Sequence, residues 1–289
     1  MRAKFFFGIA AMLLLASCEE SFEMHAELDI PSAEQVFTAI TEDGTTTRTS
    51  LSDYTNEDGC YSLNWSSGDA ISIYDGANTA VYTTNDSASS TAEFTCSTGI
   101  ISHTVSEYVA FYPSTITTSN MVLPAEQNYV KNNIANFPMR AVSGSKELAF
   151  KNLCGIIRFS LKSEESGQVA VSSIALSADK GMSGAFTVNN NAAVVTGTDG
   201  VVLKCTDPAP LYMTISTDFN IAVPQGEYNP LQVKICDSNG MEINLVSEGA
   251  VKVKRSEITR ITLTLAKSSF DTSLETIPIT DSDVDFTER

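Results

Sequence analysis

The side chains able to do chemistry are few and poorly placed for catalysis. Only two histidines occur, His25 and His103, and neither has a neighbour that would make it a general base. Six cysteines are present, Cys18, Cys60, Cys96, Cys154, Cys205 and Cys236, with no C-x-x-C pair among them. Wide spacing suits small buried residues better than a zinc cluster. A serine or cysteine nucleophile has no evident base, and no Gly-rich phosphate loop, zinc spacing or flavin fingerprint occurs. Carboxylates are abundant and on a β-sheet surface they mostly solvate, although two far apart in sequence can meet as a glycosidase pair. Asp281-Ser282-Asp283-Val284-Asp285 begins like a calcium loop, but Phe286 stands where glycine is needed and no closing Glu follows at the required spacing. The residues therefore point to no enzyme, no cofactor and no metal. Two groups remain. One is the thiol of Cys18, directly after Leu15-Ala16-Ser17. The other is Arg48, the only basic residue between Lys4 and Lys131.

Arg2 and Lys4 make a short positive segment, and residues 5–15 are an apolar run too short for a bilayer core, which needs about 20 residues. Small residues then lead into Cys18. That order is a secretory signal. Leu-Ala-Ser-Cys resembles a bacterial lipobox, which implies cleavage between Ser17 and Cys18, acylation of Cys18 and a lipid-anchored chain. Each buried methylene of such chains adds about 0.8 kcal/mol to membrane binding. The net charge is −17, and loss of Arg2 and Lys4 takes it to −19. Such a chain is repelled by nucleic acid and by anionic membrane surfaces.

Residues 18–33 are polar and acidic and read as a tether. Glu19 and Glu20, just after the lipid site, resemble surface-export signals of some Gram-negative lipoproteins. From residue 34 the pattern is β throughout. Runs of Val, Ile, Thr, Phe and Tyr alternate with turn pairs such as Asp75-Gly76, Asp199-Gly200 and Asn239-Gly240. Strands are expected at residues 34–40, 61–65, 71–73, 91–96 and 108–112, then at 169–176, 211–215, 231–235, 242–246 and 258–265. Residues 150–161 form the longest strand candidate, with Leu153, Ile157, Phe159 and Leu161 on one parity and hence in one core. No stretch sustains a helical period, so very little helix is expected. Trp65, at strand parity, reads as core, although an exposed Trp with tyrosines can stack on sugars.

The expected architecture is all-β: a sandwich over residues 34–145, a linker at 141–146, a second sandwich over 146–266, and an acidic tail at 267–289. With Cys18 lipidated, five cysteines remain. That odd number argues against a closed disulfide set and leaves open whether Cys60 and Cys96 pair.

Five motifs, in order, resemble the fimbrillin family of outer-membrane lipoproteins. They are Trp65-Ser66-Ser67-Gly68-Asp69 before alternating Ile; Phe111-Tyr112-Pro113; Leu123-Pro124-Ala125-Glu126-Gln127; the strand at 150–161, opening on Phe150; and Pro224-Gln225-Gly226. The last strand, 258–265, falls where the family's second domain ends. The resemblance covers about 230 residues. It implies two tandem transthyretin-like β-sandwiches in a subunit or accessory component of a surface fimbrium. Its partners would be other fimbrial subunits, and it would be held to the outer membrane by lipid. In the main shaft subunits a trypsin-like protease cuts after an arginine, the first strand leaves, and a neighbour's strand fills the groove. Carried onto this sequence, residues 36–41 are the first strand and the cut falls between Arg48 and Thr49. The tail supplies the donor, with Ile277, Ile279, Val284 and Phe286 as anchors. Pro278 would lose a ladder bond there. The alternative is a surface lipoprotein that does not polymerise and binds a host glycan or protein through its loops.

Overall fold

The computed structural model describes residues 36–42, 50–51, 63–86, 89–102, 104–165, 169–266, 276–279 and 284–285. The structure is all-β, and no helix occurs among the described residues. The first half carries β1 (Val36–Ile40), β2 (Ser50–Leu51), β3 (Leu63–Asn64), β4 (Ala70–Tyr74), β5 (Thr79–Thr83), β6 (Thr91–Thr98), β7 (Tyr108–Tyr112), β8 (Val122–Leu123), β9 (Glu126–Asn128), β10 (Met139–Ser143), β11 (Glu147–Ala149) and β12 (Lys151–Asn152). The second half continues with β13 (Gly155–Ser163), β14 (Ala170–Ser177), β15 (Gly184–Asn189), β16 (Ala192–Val195), β17 (Val201–Pro210), β18 (Thr217–Val223), β19 (Gly226–Tyr228), β20 (Gln232–Asp237), β21 (Glu242–Ser247), β22 (Val251–Val253) and β23 (Ile258–Leu265). Two tail strands close the list, β24 (Thr276–Ile279) and β25 (Val284–Asp285).

Strands form where apolar side chains recur at every second position. In β6, Ala92 and Phe94 are buried while Thr91, Glu93 and Thr95 are exposed. The first half is one ladder in the order β11-β1-β6-β5-β4-β7-β10-β12. Its two end strands, β11 and β12, are successive pieces of one segment, so the ladder returns on itself around a core. That core holds Phe37, Trp65, Phe94, Phe111, Phe137 and Phe150. The second half is two-layered. A sheet ordered β18-β13-β23-β25 faces one ordered β24-β21-β20-β14-β17-β9. Between them lie Phe159, Leu161, Ile174, Phe219, Ile235 and Ile261.

Three expectations change. Residues 141–146, read as a linker, hold the end of β10 and the loop to β11, and both strands belong to the first ladder. The Ser-Gly-Ser-Lys composition marks a turn within the first unit. Second, the strand expected over 150–161 is broken at Leu153 and Cys154. Leu153 stays in the first core, whereas Ile157, Phe159 and Leu161 enter the second. The chain changes sheet there, and at the crossing Gly155 lies against the Lys254 carbonyl, where no Cβ fits. Third, residues 211–215 are a loop. Leu211 alone is buried, donating its N–H to the Val169 carbonyl at 2.9 Å, while Tyr212, Met213 and Ile215 are exposed. The alternation of Leu211, Met213 and Ile215 is misleading there, and the punctuating signal is Pro208 and Pro210 immediately before the loop.

Candidate functional site: the first strand and its junction with the second half

β1 is flanked on both sides. It runs antiparallel to β6, with Phe37 opposite Phe94, and parallel to β11, with Ala39 beside Leu148. Its alternation puts Phe37, Ala39 and Thr41 inward. The Phe37 ring sits edge-on to Tyr82 at 5.1 Å and to Tyr108 at 5.0 Å, the arrangement aromatic quadrupoles favour. The Trp65 indole N–H donates to the Ala39 carbonyl at 3.1 Å. One ring thus ties the core to the backbone of the first strand.

The Trp-Ser-Ser-Gly-Asp motif holds that ring in place. Gly68 adopts a φ of 89°, a region open to glycine, and its N–H donates to the Thr84 carbonyl at 2.9 Å. The Asp69 carboxylate accepts the Ser66 N–H at 2.7 Å and the Tyr112 hydroxyl at 2.9 Å. Tyr112 in turn packs edge-on against Trp65 at 5.5 Å. The Trp-x-x-Gly-Asp and Phe-Tyr-Pro motifs are therefore parts of one assembly, and Trp65 is core with no face for a sugar.

At the end of β1 stands Glu42, the last described residue before the segment carrying Arg48. Both its oxygens accept from Arg255, at 2.7 and 3.2 Å. Its Oε2 also accepts the Asn152 N–H at 3.3 Å and the Ser256 hydroxyl at 3.4 Å. Lys151 Nζ lies 3.4 Å from Oε1. Arg255 further donates to the Asn152 carbonyl at 3.2 Å. Glu42 thereby joins the first strand to β12 and to the turn between β22 and β23. Burial alone pushes its carboxyl up. The Arg255 hydrogen bonds and charge, the Asn152 N–H and the Lys151 charge outweigh burial and hold it below its ordinary value of 4.5. A carboxylate depressed in the folded state contributes stability above its unfolded value, and loses it as pH falls through the folded one. Chemical denaturation at pH 7 and at pH 4 should therefore show wild type more stable than Glu42→Gln at pH 7, with the gap narrowing at pH 4. Asp75 is also held low, by N–H groups of Asn78, Ser102 and Ala77 that outweigh its burial, but it contributes equally to both proteins and cancels. A constant gap would show that Glu42 is held by packing and not by charge.

The Leu-Pro-x-x-Gln element fastens the same junction from the other side. Its flanking strands pair with the second half, β8 with β15 and β9 with β17. The Gln127 amide donates to the Ala222 carbonyl at 2.8 Å and accepts the Ala222 N–H at 2.9 Å, replacing a strand neighbour of β18. In the later Pro-x-Gly hairpin the Tyr228 hydroxyl donates to the Pro224 carbonyl at 2.6 Å.

Of the residues read from sequence, Ser17, Cys18, Arg48, Thr49 and Phe286 lie outside the described residues, as do His25, His103, Cys60 and the tether. The backbone of Ile277 and Ile279 runs in β24, parallel to β21 and opposite Leu245 and Ser247. Val284 lies opposite Ile261 of β23. Among the described residues, Cys96, Cys154, Cys205 and Cys236 are free thiols, and burial pushes Cys154 up strongly and Cys205 up to about 11. Such thiols stay protonated and react poorly as nucleophiles. Among the described residues no three His, Cys, Asp or Glu gather as a metal group. Sequence reasoning missed Glu42, Arg255 and Gln127. Gln127 alone carried a signal, as the last residue of the Leu-Pro-x-x-Gln element.

No family model matches the chain, and no curated protein does. Solved structures do. A "putative cell adhesion protein" from Bacteroides ovatus superposes with a TM-score of 0.50 at 11% identity, over 82% of this chain and 95% of that one. A protein of the same description from Bacteroides uniformis gives 0.44 at 16% identity, over 81% and 95%. The tip fimbrial protein Mfa3 from Porphyromonas gingivalis, truncated at its C-terminus, gives 0.32 at 11% identity, over 79% and 95%. The first of these shows a shared fold.

Proposed function

We propose that this chain, which has the fold of a Bacteroides protein described as a cell adhesion protein, is a fimbrillin-type subunit or accessory component of a cell-surface fimbrium. On this reading it is cleaved between Ser17 and Cys18, held in the outer membrane by lipid on Cys18, and supports adhesion without catalysing a reaction. It joins its neighbours by strand exchange after a cut between Arg48 and Thr49. The single observation that carries the proposal is the setting of β1, which is inserted between an antiparallel and a parallel neighbour and fills the core with Phe37. Its removal bares two strand edges and an aromatic pocket. An incoming strand restores both the ladder and the buried side chains, giving affinity through backbone bonds and specificity through pockets. For the tail to donate, β24 and β25 must first leave the edges of their own second-half sheets.

A second reading rests on the loop at 211–216. Tyr212 is 44% exposed, Met213 54% and Ile215 69%, three large apolar side chains close together. Under that reading the chain is a non-polymerising lipoprotein whose loops bind a host glycan or protein.

Limited digestion of the chain lacking residues 1–17 by a trypsin-like protease separates the two. The fimbrial reading expects a cut after Arg48 followed by ladders of multimers on non-denaturing gels. Persistent monomer after that cut, with a clear hit on a glycan array, supports the second reading instead.

A further inference from the structure

The exchange reading leaves open which strand the groove accepts. When β1 departs with the segment up to Arg48, Glu42 departs too. Arg255, whose side chain is only 24% exposed, is then left without its carboxylate, beside Lys151. It keeps the Asn152 carbonyl and the Ser256 hydroxyl, both neutral acceptors, but a half-buried guanidinium without a counter-charge is unfavourable, and a bidentate carboxylate is its best replacement. The groove therefore asks for two things at a fixed spacing. One is a large apolar side chain for the Tyr82–Tyr108 pocket that holds Phe37, and the other is an acid five residues later, where Glu42 meets Arg255.

Within residues 267–289 one stretch has that spacing, Phe270-Asp271-Thr272-Ser273-Leu274-Glu275. No other aromatic or branched aliphatic residue of the tail is followed by an acid at the fifth position. It matches Phe37-Thr38-Ala39-Ile40-Thr41-Glu42 position for position in direction and parity. Phe270 falls on Phe37 and Glu275 on Glu42. Thr272 takes the small inward position of Ala39, where the carbonyl that accepts from Trp65 is backbone and any residue supplies it. The two stretches differ most in size at Leu274 against the buried Thr41. We infer that Arg255 is the specificity residue of the groove, and that its occupant is the Phe270–Glu275 segment of a second copy of this chain. The inference rests on the exchange reading and moves the donor's anchors from Ile277, Ile279, Val284 and Phe286 to Phe270 and Glu275.

The register makes a second demand that tests it. Thr38 lies opposite Glu93 on β6 and beside Glu147 on β11. Asp271 would take Thr38's place between two acids, and like charges directly across a sheet repel. In this register one tail acid helps binding and its neighbour hinders it.

The test follows multimer ladders of the processed chain over time. Wild type should form them, and Glu275→Gln should form them about tenfold more slowly, the scale of one lost charge-assisted pair. Asp271→Asn should form them faster. The double change Glu42→Arg with Arg255→Glu reverses the junction. Its processed form should accept a donor carrying Glu275→Arg and refuse the wild-type tail. Neither tail variant changes a residue of the two cores, so both report even if the double change does not fold. Wild-type ladders with unchanged rates in both tail variants would overturn this inference and leave strand exchange standing. Absence of ladders from the processed wild type would overturn exchange itself, and the inference with it.

Discussion

Replacing Trp65 by alanine is expected to cost roughly 3–5 kcal/mol of folding free energy, the range for emptying a fully buried aromatic site. The side chain has no exposed surface. Its ring meets Phe94 at 5.0 Å, Tyr112 at 5.5 Å and Phe150 at 5.4 Å, each close to perpendicular. Three oriented contacts vanish together, and the surrounding rings belong to β6, to β7 and to the segment joining β11 to β12, so no single element can move in to close the space. The Ala39 carbonyl also loses its donor. Trp65→Phe keeps most of the ring contact and loses that bond, so its cost should be smaller, about 1–2 kcal/mol. Because Trp65 is the only tryptophan, unfolding of both variants is followed by circular dichroism in denaturant, with wild-type fluorescence as control. The phenylalanine variant carries the sharper information. If Trp65 holds the first strand as well as the core, digestion after Arg48 in that variant should release the strand faster than its small loss of stability explains. A cost under 1 kcal/mol for alanine would mean that the three rings do not depend on the indole between them.

Periodicity made much of this fold legible. Strands expected at 108–112 and 258–265 coincide with β7 and β23, and the all-β character follows from β-branched and aromatic alternation with Asp-Gly and Asn-Gly turns. Such patterns are local, and a strand's inward face is written in its own residues. What alternation could not convey is where the chain passes between sheets. Leu153 and Ile157 share a parity yet point into different cores, because the chain passes between sheets in between, where Gly155 packs against Lys254 about a hundred residues later. The junction was hidden for the same reason. Glu42 reads as one loop acid among many, and Arg255 as a surface base in a Lys-Arg turn. Their meeting depends on two sheets folding and then docking, and no local pattern encodes a contact of 213 residues' separation. The short motifs did better. Trp65, Asp69 and Tyr112, drawn from two of them, touch in space. Gln127, at the end of the Leu-Pro-x-x-Gln element, marks a backbone bond to Ala222, itself invisible from sequence.

The same logic gives Gly155 a larger role than its size suggests. Its backbone is not in the left-handed region, so the constraint is space. A Cβ built there would lie 2.2 Å from the Lys254 carbonyl oxygen and 2.7 Å from a Val253 methyl. Gly155→Ala should therefore cost about 3 kcal/mol, the upper end of overpacking, because the nearest obstacle is backbone and cannot rotate away. Two responses are open to the chain. The turn at Lys254, Arg255 and Ser256 can back off, which pulls Arg255 from Glu42 and strips the first strand of its anchor. Alternatively β13 can shift, which breaks its pairing with β18, where Gly155 lies opposite Val223. The two are distinguishable. In the first, Gly155→Ala and Glu42→Gln together should cost less than the sum of their separate effects, since the alanine has already broken the bond that glutamine weakens. In the second the effects should add. Denaturation midpoints of the two single variants and the double variant decide between them, and a cost for the alanine within 0.5 kcal/mol of zero, the range for an ordinary surface change, would show that the close approach at this junction is dispensable.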